Sequence, residues 1–260
     1  MLKGKTALIT GSTSGIGLGL ARALAAEGCA VLLSGSRPAE AVESLRSQLA
    51  QDTGVPVSYH RADLSRPAEI KALMAAAALE LGGIDILVNN AGIQHTDAVE
   101  DFPPDKWDTV LAVNLSAAFH TIHEALPNMK AAGWGRIINL SSVHGLVASV
   151  RKAAYVTAKH GLVGLTKVVA LETAGLGITC NAICPGWTRT ALIEPQIIAL
   201  AETLGVELEE GGRALLAQKQ PSQQFVSVEQ LGQLVVFLCS DAANQITGAA
   251  IPVDGGWTAQ

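Results

Sequence analysis

Short apolar runs recur along the chain: TALIT, AVLLS, PVSYH, DILVN, RIINL, ITCNAI and AAIPV. Their length and β-branched content suit strands buried in a sheet. Between them stand longer stretches: LGLARALAAEG, EAVESLRSQLAQDTG, AEIKALMAAAALELGG, DKWDTVLAVNLSAAFHTIHEALPNMKAAG, YVTAKHGLVGLTKVVALETAG and VEQLGQLVVFLCS. Most are amphipathic and end at glycine, as helix C-termini often do. Strands that alternate with helices predict an α/β fold, a doubly wound parallel sheet with helices on both faces. Ligands of such sheets bind beyond the carboxyl ends of the strands.

The alternation fails in one place and changes character in another. From Thr188 to about Val226 the pattern is helical without a strand, too long for an ordinary connection, and it predicts a flap over a substrate. The helix from about Tyr155 to Thr173 is apolar or small on nearly every side, with Gly161 and Gly164 permitting close approach, which predicts burial in a subunit interface.

Length and composition narrow the class of protein. The 260 residues, 49% of them hydrophobic, suffice for one α/β domain spanning the chain. A formal charge of -5 offers no excess of cations for a nucleic-acid backbone, so a small molecule is the expected partner. Cys29, Cys180, Cys184 and Cys239 form no zinc-like spacing and read as buried thiols. His120 and His123 share a helix face but lack a third ligand nearby, so no metal is expected. The N-terminal residues enter a strand pattern at once and no apolar run reaches bilayer length; a cytoplasmic protein with no membrane partner is the expectation.

The segment TGSTSGIG, residues 10–17, follows the first strand and opens the first helix. Backbone N–H groups and the positive end of the helix dipole meet there, which makes an anion site. Gly11 suits a tight turn, Gly15 lets backbone approach a pyrophosphate, and Gly17 allows the helix to pack against the sheet. Ser12, Thr13 and Ser14, with the backbone of Ile16, can add hydrogen bonds. Taken alone, such a turn is equally compatible with a purely structural role.

That loop, NNAG at 89–92, YVTAK at 155–159 and PG at 185–186 occur in an order that resembles the short-chain dehydrogenase/reductase family over essentially the whole chain. The resemblance implies a Rossmann-type seven-stranded parallel sheet, a nicotinamide dinucleotide and a homotetramer. It implies that Asn114, Ser142, Tyr155 and Lys159 are catalytic, with Asn114 holding a water of a proton relay. It also implies cofactor contacts from Asp63, Leu64, Asn90, Ala91, Gly92, Pro185 and Gly186, and from Thr188 or Thr190.

The residues supply a chemical reason for part of that set. Tyr155 and Lys159 lie four apart on one helix face. A free phenol, with a pKa of ~10, is a poor base at neutral pH. A lysine ammonium and an oxidised nicotinamide both favour the phenolate, which would take a hydroxyl proton as hydride leaves the same carbon. Ser141 and Ser142 both end the RIINL strand and periodicity does not choose between them; the family's spacing selects Ser142. Gly35 stands where NAD-using relatives often carry an acid, and Arg37 is a candidate for a 2′-phosphate. NAD is nevertheless the expected cofactor, on a closer resemblance.

The stretches NNAGIQHT, HGLVAS, NAICPGW, KQPSQQFV and DGGWTA resemble the D-3-hydroxybutyrate dehydrogenase branch of the family. The branch resemblance implies a small hydroxy or keto acid as substrate, its carboxylate held by Gln94, His144, Lys152 and Gln196, with Trp187 and Trp257 as apolar walls. Pro195 before Gln196, and Gln260 where relatives lead one to expect arginine, depart from the branch pattern. A 3-oxoacyl thioester reductase using NADPH and a non-catalytic dinucleotide sensor are the alternatives.

Overall fold

A computed structural model describes residues 2–259; Met1 and Gln260, and with it the departure from arginine, lie outside the described residues. The elements run β1 (Thr6–Ile9), α1 (Gly15–Ala26), β2 (Ala30–Gly35), α2 (Glu43–Thr53), β3 (Val57–Arg61), α3 (Pro67–Leu81), β4 (Ile86–Asn89), α4 (Pro104–Leu111) and α5 (Ala117–Ala132). They continue through β5 (Gly135–Leu140), α6 (Ala153–Thr173), β6 (Ile178–Pro185), α7 (Glu194–Leu204), α8 (Leu208–Ala217), α9 (Val228–Cys239) and β7 (Ala250–Val253). Each of the seven apolar runs forms a strand. They make one parallel sheet in the order β3-β2-β1-β4-β5-β6-β7.

The strand alternation distributes the core between the two faces. Ile9, Val88 and Ile138 pack on one side with Leu20, Leu24 and Leu238 of α1 and α9. Leu8, Leu87 and Ile137 face the other side, against Leu73 and Met129 of α3 and α5. Register is fixed by these buried faces: Leu8 stands opposite Leu32 on one side and Leu87 on the other. The strand order reverses between β1 and β4, so the loops after these strands diverge and leave a crevice at their carboxyl ends.

Two expectations change on contact with the structure. The single helix expected over DKWDTVL through AAG is α4 and α5 joined by a π-helical segment, Ala112–Ser116. Asn114 lies in this wider turn, and such segments are frequent at functional sites. In α6, Gly161 admits the side chain of Leu115 from the same chain, whereas a Cβ at Gly164 would meet nothing within 4 Å. The close approach expected of both glycines is therefore intramolecular at the first and open at the second. Val168 and Leu171 of α6 remain exposed, as does Phe119 of α5.

The segment after β6 forms α7 and α8, packed against each other. It has its own apolar cluster, in which Ile193, Ile197, Leu215 and Leu216 meet Val143, Trp187 and Trp257. The flap expected from sequence thus rests on the two tryptophans assigned to the pocket wall.

Candidate active site

The crevice between β1 and β4 opens into a cavity of about 580 Å³. Gly11, Thr13, Ser14, Gly15, Ile16 and Gly17 line it from the first loop, Asp63 and Leu64 from the loop after β3, and Asn90, Ala91 and Gly92 from the loop after β4. Tyr155, Lys159, Pro185 and Thr190 line its far end. Gly186 and Thr188 border a second pocket instead. Gly35, Ser36, Ile93, Thr109, Val113 and Ala191 also line the cavity; apart from Gly35, these went unassigned in the sequence, because no motif marks them.

The glycine loop suits a pyrophosphate for reasons visible in its packing. Ser14 caps α1 without a side-chain hydrogen bond, so that side chain leaves the first-turn N–H groups to a ligand. Ser12 does not serve a ligand: it is fully buried, donating to the Ile9 carbonyl at 2.7 Å and accepting from the Ser34 N–H at 2.9 Å. Asn90 donates to the carbonyls of Thr10 and Gly11, at 2.9 and 3.0 Å, and so pins the loop to β4. A Cβ at Gly17 would lie 2.3 Å from the Gly11 carbonyl oxygen and 2.4 Å from Asn90 Nδ2. Gly17→Ala is therefore expected to destabilise the chain by about 1–3 kcal/mol and to weaken dinucleotide binding at least about tenfold. Thermal unfolding and fluorescence titration with NAD would measure both.

At the inner end of the cavity the two serines separate. Ser141 Oγ donates to the Lys159 carbonyl at 3.0 Å, tying β5 to α6, whereas the Ser142 hydroxyl shares the second pocket with the Tyr155 phenol and favours its ionised form. Lys159 is buried and its ammonium donates to the Leu140 carbonyl at 2.6 Å, with Nζ 5.5 Å from the centre of the Tyr155 ring. Burial pushes the Lys159 ammonium down to about 8 and the Tyr155 phenol up to about 12. Desolvation dominates the Tyr155 value, with the Ser142 hydroxyl acting in the opposite direction. Asn114, also buried, closes a double hydrogen bond with the backbone of Ile93, at 2.8 and 2.9 Å. It lies outside the main cavity and borders a small polar void behind it.

The second pocket, of about 80 Å³, adjoins Ser142 and Tyr155. Gln94, His144, Lys152, Trp187 and Trp257 line it; Gln196 does not, but accepts a hydrogen bond from Lys152 Nζ at 3.3 Å. Leu192 and Ile193, from the segment after β6, complete the wall, an apolar pair legible in the sequence only as part of the expected flap. Trp187 and Trp257 meet with ring centres 5.4 Å apart, and Lys152 Nζ sits 5.1 Å from the Trp187 ring. Burial lowers the Lys152 ammonium to about 8. His144 is held down to about 3, first by burial and then by Lys152, and so stays neutral. Its Nδ1 faces Ser142 Oγ at 3.4 Å and its Nε2 faces Ser149 Oγ at 2.9 Å, so both ring nitrogens already have serine partners. Ser149 ends the HGLVAS stretch, but the resemblance gave it no role.

Other candidates stand apart from these pockets. Arg37 donates to the Ala41 carbonyl at 3.0 Å and does not border the cavity. His120 and His123 flank the Phe119 ring, and among the described residues no group of three potential metal ligands occurs. All four cysteines are buried and unpaired.

Comparison with known proteins gives this site a context. The family model described as enoyl-(acyl carrier protein) reductase matches residues 11–258. A D-beta-hydroxybutyrate dehydrogenase of Cupriavidus necator is 56% identical over the full length of both chains. One from Rhizobium meliloti is 50% identical over 98% of this chain and 99% of its own. Among solved structures, the L-sorbose reductase of Gluconobacter frateurii, complexed with NADPH and L-sorbose, superposes with a TM-score of 0.94. It is 30% identical, over 100% of this chain and 98% of that one. With matches of this extent the chain belongs to the short-chain dehydrogenase/reductase family.

Proposed function

We propose that the chain is an oxidoreductase that reversibly oxidises D-3-hydroxybutyrate to acetoacetate with NAD. The observation that carries this reading is a buried ammonium, Lys152, inside a small walled pocket that also contains the Ser142–Tyr155 pair. A buried cation demands an anionic partner, and a short hydroxy acid brings its carboxylate and its reacting hydroxyl together. The two D-beta-hydroxybutyrate dehydrogenases, alike over their full length, support the same substrate.

When bound, the oxidised dinucleotide supplies a hydride acceptor and a positive charge beside the phenol. The chain's own groups handle the proton and the substrate. Ser142 holds the substrate oxygen, and Tyr155 takes its proton on oxidation and returns it on reduction. With its phenol held up to about 12, Tyr155 rests in the protonated form that reduction needs; oxidation draws on the phenolate that a nearby positive charge favours. Lys159 adds such a charge below about pH 8. Asn114 fixes the Ile93 backbone at the edge of the same site and would hold the water of a proton relay. Lys152, with Gln94 and Gln196, orients the carboxylate, while Trp187 and Trp257 enclose the methyl end and exclude water. His144 orients Ser142.

NAD fits the adenosine end better than NADP. Gly35 and Ser36 line it beside Asp63, and apart from Lys159 at the opposite end no cation lines the cavity, leaving a 2′-phosphate without a partner. A homotetramer formed across the exposed Phe119, Val168 and Leu171 is part of the same reading. So is a cytoplasmic setting, which suits four unpaired thiols; no helix among the described residues is long and apolar enough to cross a membrane.

Steady-state assays with both enantiomers of 3-hydroxybutyrate, with NAD and NADP, test the proposal. Turnover of the D enantiomer with NAD is expected. Ready reduction of 3-oxoacyl thioesters with no action on acetoacetate would replace it with the reductase reading, and dinucleotide binding without turnover would leave a sensor. The pH dependence is a finer check. The ammonium of Lys152 loses its proton as pH rises through about 8, so the ratio of kcat/KM for 3-hydroxybutyrate to that for its methyl ester is expected to be flat at pH 6–7 and to fall above pH 8. The limiting slope is about tenfold per pH unit. The ratio cancels the titration of Tyr155 and Lys159, which both substrates share.

A further inference from the structure

The loops that carry Gln94 and Lys152 come from different strands, and one residue joins them. The Asp97 N–H donates to the Arg151 carbonyl at 2.9 Å, which makes a single parallel rung between Asp97 and Lys152. The Asp97 carboxylate accepts a second bond, from Arg151 Nη2 at 3.2 Å, and a third from the Ala98 N–H at 2.9 Å. Its other oxygen lies 4.0 Å from His95 Nε2, and the His95 ring packs edge-on against Phe102 at 5.2 Å. Arg151 adopts φ +63°, a left-handed conformation that few non-glycine residues take, directly before the lysine. The reversal of the chain at Arg151 delivers Lys152 to the pocket.

We propose that Asp97 is a positioning residue for recognition of the acid substrate: by clamping Arg151 in its left-handed turn and pairing with the backbone beside Lys152, it sets the ammonium against the substrate carboxylate. This rests on the reading of Lys152 as the carboxylate anchor. Asp97 borders neither pocket. Its effect is therefore on affinity for the acid rather than on the chemical step.

The experiment compares Asp97→Ala and Asp97→Asn with the parent enzyme on D-3-hydroxybutyrate and on its methyl ester. The second variant keeps the backbone rung and the side-chain shape. Both are expected to raise KM for the acid about tenfold, with kcat, KM for the ester and the Kd for NAD each within about threefold. Adding Arg151→Gly to Asp97→Ala is expected to restore most of the affinity, because glycine takes the left-handed turn without a clamp. In a Lys152→Ala background, Asp97→Ala is expected to have no further effect on KM. A lowered Tm with unchanged KM would reduce Asp97–Arg151 to a surface ion pair and overturn the proposal alone. Loss of nothing on Lys152→Ala itself would remove the anchor reading, and this proposal with it.

Discussion

Tyr155→Phe is expected to lower kcat about 10²–10⁴-fold in both directions while leaving the Kd for NAD within about twofold. Only the proton carrier is lost. The ring, with its edge contact to His144 at 5.9 Å, is retained, and Ser142 keeps the bond that it accepts from the His144 N–H at 3.2 Å. No buried partner is orphaned, so stability is expected to change by no more than about 1 kcal/mol. Steady-state kinetics, fluorescence titration with NAD and thermal unfolding separate the three quantities. A variant that kept a tenth of the parent kcat would assign the proton to another group.

Lys152→Ala is expected to lower kcat/KM for D-3-hydroxybutyrate about 10²–10³-fold, the cost of leaving a desolvated carboxylate without its partner, and to change that for the methyl ester less than about threefold. Stability moves the other way. The ammonium is depressed from 10.5 to about 8 by burial, so the folded chain holds it at a cost of about 3 kcal/mol, which alanine removes. Part of that gain is lost with the bond to Gln196 and the contact with the Trp187 ring. A large loss of specificity with no fall in Tm is thus the signature of an anchor; a fall in Tm with equal losses on acid and ester would make Lys152 structural.

The sheet was legible because its signal is local: seven apolar runs with helices between them leave little choice of class, and the glycine loop marks the first crossover. Tyr155 and Lys159 were legible because helical spacing puts them on one face. What spacing could not show is the environment of each group. Ser141 and Ser142 are neighbours in sequence, yet the Ser141 hydroxyl ties down α6 while that of Ser142 faces His144 and favours ionisation of the phenol, a difference that arises from the packing of β5 against α6. The ionisation of Tyr155 illustrates the same limit, since a sequence contains the charge of Lys159 but not the desolvation of either partner. The π-helical segment at Asn114 follows a helical pattern that shows no break, because one inserted residue barely alters the periodicity. Asp97, just past the NNAGIQHT stretch, and Ser149, at the end of HGLVAS, make their contacts through tertiary structure, which no motif assigns.

Of the chain's four tryptophans, Trp187 and Trp257 serve at once as pocket wall and as the base on which α7 and α8 rest. Any swing of those helices would therefore disturb two indoles, and intrinsic emission read against time would report it without a label.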